Sequence, residues 1–331
     1  MCGIVAASSN RDVVPILTEG LRRLEYRGYD SCGIAIVDEG KLKRTRTVKR
    51  VNALIEQTKI ENLSGLTGIA HTRWATHGAP EICNTHPHFS HNMMAVVHNG
   101  IIENYEEIRE ELIEKGYEFL SQTDTEVIVH LVHSLYEGDL LKAVEKAVQR
   151  LRGAYAIALT CINEPNRVVA TKKAAPLVAA LGEGENFVAS DPIALAGVTD
   201  KFIYLEDGDV VDITPEKVAI WHKEGEEYKT IERPVSIIHE FSSEISLGNY
   251  NHYMQKEIFE QPRAIADTLE GVQGITGAIF GFEAPEMFKR LKRVLIIACG
   301  TSYYAGMIGK YWIESIAKVP VDVEIASEYR Y

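Results

Sequence analysis

Apolar positions along this chain fall into two rhythms. Short continuous or alternating runs predict strands at residues 4–7 (IVAA), 32–37 (CGIAIV), 93–98 (MMAVVH), 154–160 (AYAIALT), 176–181 (PLVAAL) and 201–205 (KFIYL). Between them run helical spacings. Leu17, Leu21 and Leu24 share a face that Gly28 ends, and Asn104 with Glu107 opens a helix that Gly116 stops. "DTEVIVHLVHSLYEG" and "DLLKAVEKAVQRL" predict two more. Many short strands close together, with helices between them rather than in strict alternation, predict packed antiparallel sheets covered by helices, an α+β fold.

The pattern changes after about residue 223, where "KEGEEYKTIERP" is polar and charged. A first domain over 1–235, a linker over 236–255 and a second domain over 256–331 follow from this change. "HYMQKEIFEQP" predicts a helix that stops at Pro262. From Arg293 onward the chain reads strand, tight loop, helix, strand, a βαβ unit of a parallel sheet. Two parallel strands cannot cover both their faces, so the second domain is expected to be incomplete. The sequence has no internal repeat and no low-complexity tract.

With 331 residues, 46% of them hydrophobic, there is material for two cores. The net charge of −12 argues against nucleic acid or an anionic membrane as the main partner, because either needs a positive contact surface. The basic run "KLKRTRTVKR" (41–50) is a local exception that could bind an anion, but its alternation predicts a solvated strand. Five scattered cysteines form no CxxC pair, which predicts neither a disulfide framework nor a zinc ribbon and points to the cytoplasm. No apolar run approaches the roughly 20 residues of a membrane-spanning helix.

Cys2 stands directly behind Met1, at the start of the first predicted strand. Once Met1 is removed, a cysteine there carries its own general base, since an α-amine titrates at about 7.7–8.0 and a thiol at about 8.5. A small buried strand cysteine is the plain alternative. Arg73, in "AHTRWATHG", suits a carboxylate held by two parallel hydrogen bonds, or a structural ion pair. Asn99-Gly100 predicts a strand-to-helix turn that leaves the Asn99 amide and the Gly100 N–H to meet a developing oxyanion. "SQTDTEV" predicts a capping box, Thr123 with Glu126, which spares Asp124 for a ligand ammonium or for the helix dipole. Thiol, oxyanion donors, arginine and aspartate together describe a site for glutamine.

"MCGIV", "LRRLEYRGYDS", "TGIAHTRWATHG", "HNGIIENY", "TDTEV", "GENFVASD", "HYMQKEIFEQP" and "ACGTSYYAG" resemble the isomerising glutamine:fructose-6-phosphate amidotransferases over essentially the whole chain. "MCGI" and "HNG" alone indicate only the wider class of N-terminal-nucleophile amidotransferases. The resemblance implies an N-terminal-nucleophile αββα sandwich followed by an incomplete α/β sugar isomerase (SIS) domain. It makes Cys2 the nucleophile, Asn99 and Gly100 the oxyanion hole, and Arg73, Trp74, Thr76, His77 and Asp124 the glutamine site, with Trp74 as gate to an ammonia passage unless its ring is plain core packing. Arg27 and Tyr29 fall in a stretch that resembles a wall of that site, with open roles. Gly300, Thr301 and Ser302 match a sugar-phosphate loop, whose plain alternative is a βα turn capped by Thr or Ser. It implies fructose 6-phosphate as second substrate, no cofactor, no metal and a homodimer in the full-length protein. This chain is expected to complete only the glutaminase half.

Two other readings carry different signatures. Six histidines lie between residues 71 and 98, which raises a metal-dependent hydrolase, although their spacing matches no usual ligand pattern. A non-catalytic glutamine or sugar-phosphate sensor is the other, against which the intact Cys2, Arg73, Asn99 and Asp124 weigh.

Overall fold

The computed structural model describes residues 2–75, 78–225, 227–238, 249–269 and 284–329. The chain divides into two compact units, Met1–Gly248 and Asn249–Tyr331. In the first, the described residues form two antiparallel sheets, with strands numbered here in chain order. One has eight strands, in the order β15 (Val235–Ile237), β11 (Lys201–Tyr204), β9 (Val178–Leu181), β10 (Glu185–Ala189), β1 (Gly3–Ser9), β4 (Thr67–Arg73), β2 (Ser31–Asp38) and β3 (Lys41–Thr47). The other has seven: β14 (Glu227–Ile231), β13 (Val218–Glu224), β12 (Val210–Ile213), β8 (Glu164–Lys173), β7 (Gly153–Cys161), β6 (Met94–Ile102) and β5 (His88–Ser90).

Side-chain alternation builds the layers. On β1, Val5 and Ala7 join a core with Leu17, Leu21 and Leu24 of α1 (Val14–Leu24) and Leu54 of α2 (Val51–Ile60). Ile4 and Ala6 point the other way, into a second core shared with Ala95, Val97, Ala156 and Ala158 of the seven-stranded sheet. That sheet's outer face packs on α3 (Tyr105–Glu114), α4 (Glu126–Ser134) and α5 (Leu140–Val148) through Ile108, Leu112, Val132, Val144 and Ala147. The result is four layers, helix on sheet on sheet on helix, as the sequence pattern predicts. A strand buried on both faces reads as a continuous apolar run, which is why residues 4–7 do.

Several local expectations give way to tertiary contacts. The polar run after residue 223 is not a connector: β13 and β14 pair antiparallel, with Glu224 opposite Glu227. β15 takes in residues 235–237, and residues 239–248 of the expected linker lie outside the described residues. Asn104 stands at the start of α3 but caps nothing with its side chain, which instead donates to Arg150 O (2.9 Å) and accepts from Arg152 N (2.9 Å). In the basic strand, Lys41 and Lys43 are solvated as expected, whereas Arg44 and Arg46 are half-buried, because β3 turns its even-numbered side chains inward with Leu42.

In the second unit, β16 (Val294–Ala298) and β17 (Val321–Ile325) pair in parallel, joined by α8 (Gly300–Ile316) as predicted. It also holds α6 (Tyr253–Leu269) and α7 (Ala284–Lys289). α6 does not stop at Pro262 but runs through it. A proline removes one N–H and crowds the preceding turn, a local cost that a helix long enough on both sides survives.

The alanine layer between the sheets sets a testable limit. Ala158→Leu adds volume where no space exists and is expected to destabilise the first unit by about 1–3 kcal/mol, and Leu21→Ala by about 2–5 kcal/mol. Urea unfolding of each variant measures both, and a neutral Ala158→Leu would contradict the close packing of the two sheets.

Candidate functional site

β1 is an interior strand, flanked by β10 and β4, so the residue before it is held against the sheet. Gly3 pairs with Thr72, and a Cβ on it would lie 2.7 Å from Thr72 Oγ1 and 2.8 Å from Leu24 Cβ. Only glycine lets the chain enter here, which fixes Cys2 beside the end of β4. There the Trp74 N–H donates to Cys2 Sγ at 3.2 Å. Asp30 braces the same turn, its N–H donating to Arg73 O (3.1 Å) and its carboxylate accepting from Ala75 N (2.8 Å).

The second sheet contributes Asn99. Its Nδ2 donates to Cys2 O (3.2 Å), and its Oδ1 lies 3.0 Å from His71 Nε2, which therefore carries the proton. Asn99-Gly100 is not a strand-to-helix turn, since β6 continues through both residues to Ile102 before α3 begins. Gly100 pairs with Tyr155 at φ +121°, and a Cβ there would lie 2.0 Å from Ala154 O. The position admits glycine alone.

Cys2, Arg73, Trp74, Gly100 and Asp124 line one small pocket, together with His86, His98, Thr123 and Thr125. Arg73 donates to Gly78 O (3.0 Å) and Ala79 O (3.2 Å), tying down the loop behind it. The predicted capping box does not form: α4 begins at Glu126 with Thr125 as N-cap, and Glu126 accepts from Leu120 N, Ser121 N and Ser121 Oγ. Thr123 bonds His88 Nε2 instead (3.2 Å). Asp124 precedes the helix, its Oδ2 accepting from Ile102 N at 2.8 Å. Trp74 is 45% exposed, so its ring is not core packing, and it meets Tyr29 edge-on at 5.7 Å. Arg27 pairs with Asp191. Thr76 and His77 lie outside the described residues.

Burial pushes the Cys2 thiol up, while the Trp74 N–H and the nearby Arg73 charge act against it and Asp30 adds to it. The sulfur therefore rests as a thiol, and any nucleophilic use of it needs a base. The buried histidines are poor bases. Burial holds His71 down to about 3, against a small opposing effect of Asn99, and pulls His86 well below its ordinary range. His71 and His86 stack at 4.0 Å, and His88 meets His86 edge-on at 4.9 Å. His71, His86 and His88 thus form a neutral ladder, and no three metal-ligating side chains converge among the described residues. His71, which orients Asn99, escaped sequence reasoning. Its signal was the alternation of His71 with Arg73 on a strand leading to the site.

In the second unit, Cys299 is the N-cap of α8, without a side-chain cap bond, and Gly300 has φ +59°. Gly300, Thr301 and Ser302 form the exposed first turn directly after β16. The Thr or Ser cap of a plain βα turn is absent.

The histidine ladder gives the fold a pH signature. The folded-state pKa values of His71 and His86 lie below the unfolded value of about 6.5, so the unfolded chain binds more protons and stability falls as pH drops below it. Urea midpoints are expected to decline between about pH 6.5 and 4.5, above the range of carboxylate protonation. A flat profile there would contradict neutral burial.

Comparison with known proteins agrees with this architecture. The family described as a glutamine amidotransferase domain matches residues 79–197, and the SIS domain family matches residues 287–331. A glutamine–fructose-6-phosphate aminotransferase (isomerizing) of Bordetella pertussis is 59% identical over 336 residues, covering 100% of this chain and 55% of its own. The enzyme of that name from Pseudomonas putida is 51% identical over 337 residues, covering 100% and 55%. The chain thus spans about half the length of the curated relatives it matches. The glutamine phosphoribosylpyrophosphate amidotransferase of B. subtilis, solved with ADP and GMP, superposes with a TM-score of 0.57 at 21% identity, covering 97% of this chain and 65% of that one. It shares the fold of two stacked antiparallel sheets. By sequence and by domain order, the chain is a homologue of the isomerizing glutamine–fructose-6-phosphate aminotransferases, carrying a glutamine amidotransferase domain followed by the opening part of a SIS domain.

Proposed function

We propose that this chain hydrolyses glutamine, with Cys2 as nucleophile, and supplies the ammonia for amination of fructose 6-phosphate. The observation that carries the reading is the placement of Cys2 Sγ, 3.2 Å from the Trp74 N–H, in a pocket that also holds Arg73, Gly100 and Asp124, with Asn99 bonded to the Cys2 carbonyl. Removal of Met1 frees the Cys2 α-amine. That amine takes the thiol proton as sulfur attacks the side-chain carbonyl carbon of glutamine, and the carbonyl oxygen gains the charge. Asn99 Nδ2, which has a second N–H, and the Gly100 N–H stabilise that oxyanion. The α-ammonium then protonates the leaving nitrogen, ammonia departs and a γ-glutamyl thioester remains. Water, deprotonated by the same amine, attacks the thioester, and glutamate and the free thiol result.

Arg73 and Asp124 have the charges to hold the α-carboxylate and α-ammonium of glutamine. Asp124 is kept in position by Ile102 N, and the two residues face the same pocket. Thr76 and His77 belong to the same proposed site. The exposed Trp74 ring suits a gate better than a core element. The first turn of α8, with Gly300, Thr301 and Ser302, is the proposed start of a sugar-phosphate site, on the general ground that a helix N-terminus favours an anion. Amination of the sugar, and a homodimer, are proposed for a protein of the relatives' full length. A cytoplasmic location is proposed from the cysteines, all free among the described residues; no described helix is long and apolar enough to cross a membrane.

A glutamine-mimicking electrophile tests the reading directly. It is expected to modify Cys2 alone, and Cys2→Ala to abolish both labelling and glutamate release. Asn99→Ala is expected to lower kcat by about 10²–10³-fold, whereas Asp124→Asn acts mainly on KM. Glutamate release by purified Cys2→Ala would overturn the proposal.

A further inference from the structure

A cleft of about 650 Å³ opens between β3, the segment around β5 and the start of α4, and no step of the glutaminase reading uses it. Its volume is that of a small-molecule site. Arg44 and Arg46 line it from β3, His88 from β5, and Glu126 and His130 from α4. Both guanidiniums are half-buried, and among the described residues neither has a carboxylate within ion-pair distance. Arg44 donates to Pro87 O (3.1 Å) and covers the Phe89 ring at 4.2 Å, and Arg46 donates to Thr85 O (3.0 Å). These contacts occupy only part of the two donor sets.

Desolvated cations are costly unless an anion meets them. Burial pulls Arg44 down to about 10 and Arg46 below its ordinary range, and the nearby Glu126 charge does not make up the difference. Glu126 is itself engaged: burial raises its carboxyl, and the adjacent His130 ring together with hydrogen bonds from Leu120 N and Ser121 outweighs that and lowers it. Glu118 also borders the cleft, exposed to solvent, so the acidic charge that faces the arginines is either satisfied elsewhere or hydrated. His130 is 4% exposed, and its Nδ1 meets Ser90 Oγ at 2.9 Å. Its Nε2 has no hydrogen-bond partner, with Glu126 Oε1 3.7 Å away. A buried nitrogen without a hydrogen bond, in a cleft also lined by two guanidiniums without a carboxylate partner, describes a seat for a compact anion with several acceptor oxygens.

We infer that this cleft binds the phosphate group of a small phosphomonoester metabolite through Arg44 and Arg46, with His130 as a further polar contact. A phosphate is favoured over a single carboxylate because two separate guanidiniums line the one cleft and a dianion carries charge for both. The site is distinct from the Cys2 pocket but shares its wall. His86, Thr123 and Thr125 face the pocket, and His88 and Glu126 face the cleft. Occupancy therefore bears on the segment that carries Asp124. The inference rests on unpaired charge and holds whether or not glutamine is the substrate of the Cys2 pocket.

The test uses the whole chain, with inorganic phosphate and glucosamine 6-phosphate as probes and uncharged glucosamine as control. Calorimetry is expected to show saturable binding of glucosamine 6-phosphate with a Kd of about 1 mM or tighter, competed by phosphate and absent for glucosamine. Arg44→Gln/Arg46→Gln is expected to weaken it by about tenfold or more. Since the arginines also anchor residues 85–87, the wild-type chain supplies an independent readout. Hydrogen exchange with glucosamine 6-phosphate added is expected to slow at residues 42–48 and 85–91. Protection confined to residues 299–304, unchanged affinity in a folded double-arginine variant, or no saturable binding would overturn the inference and leave the arginines as anchors of residues 85–87.

Discussion

The position of β1 inside its sheet is the constraint on which the rest of the structure depends. Most chain ends fray at a surface, but here the first strand has a neighbour on each side, β10 and β4. The residue ahead of it is therefore delivered to a fixed place against the Trp74 N–H. Gly3 makes the entry possible, because any side chain there would strike Thr72 and Leu24. Two apolar layers, one toward α1 and one toward the other sheet, hold the strand down. The energy that positions the sulfur thus comes from packing along β1 rather than from contacts of the sulfur itself.

Electrostatics around the thiol then limit the chemistry. Burial outweighs Trp74 and Arg73, so the sulfur is not stored as a thiolate. His71 and His86, which in another setting would serve as base, are kept neutral and weakly basic by burial. His71 is further committed to Asn99 at 3.0 Å. Its role is to fix an amide, leaving Asn99 Nδ2 turned toward Cys2. Such a pocket calls for a nearby amine that exchanges protons near neutral pH, and the proposed mechanism assigns that task to the cysteine's own α-amine once Met1 is removed.

Much of this was legible in the sequence where a single local rule decides the outcome. Residues 4–7 and 154–160 are strands because an apolar run buried on both faces has few alternatives, and Leu17, Leu21 and Leu24 define a helical stripe against β1. The site residues Cys2, Arg73, Gly100 and Asp124 were named from chemistry and do line one pocket. The misses come from competing partners that a motif does not contain. Glu126 was read as closing a capping box, yet it accepts from Leu120 and Ser121. Asn99-Gly100 was read as a turn, yet pairing with β7 carries the strand through it. Arg44 and Arg46 were read as solvated, yet the second sheet lies over their face of β3. The strand pairing and the arginine contacts join segments far apart in the chain, while the Glu126 contacts depend on the path of the loop just before α4, which propensity alone does not give.

The account stands or falls on one residue supplying both sulfur and base. The most direct measurement compares glutamate release by two preparations of the same chain, one shown by intact mass to begin at Cys2 and one in which Met1 is retained. The account predicts turnover in the first, with a rate that rises through about pH 7.7–8.0 as the α-amine loses its proton, and essentially none in the second. Equal rates from both preparations would contradict it.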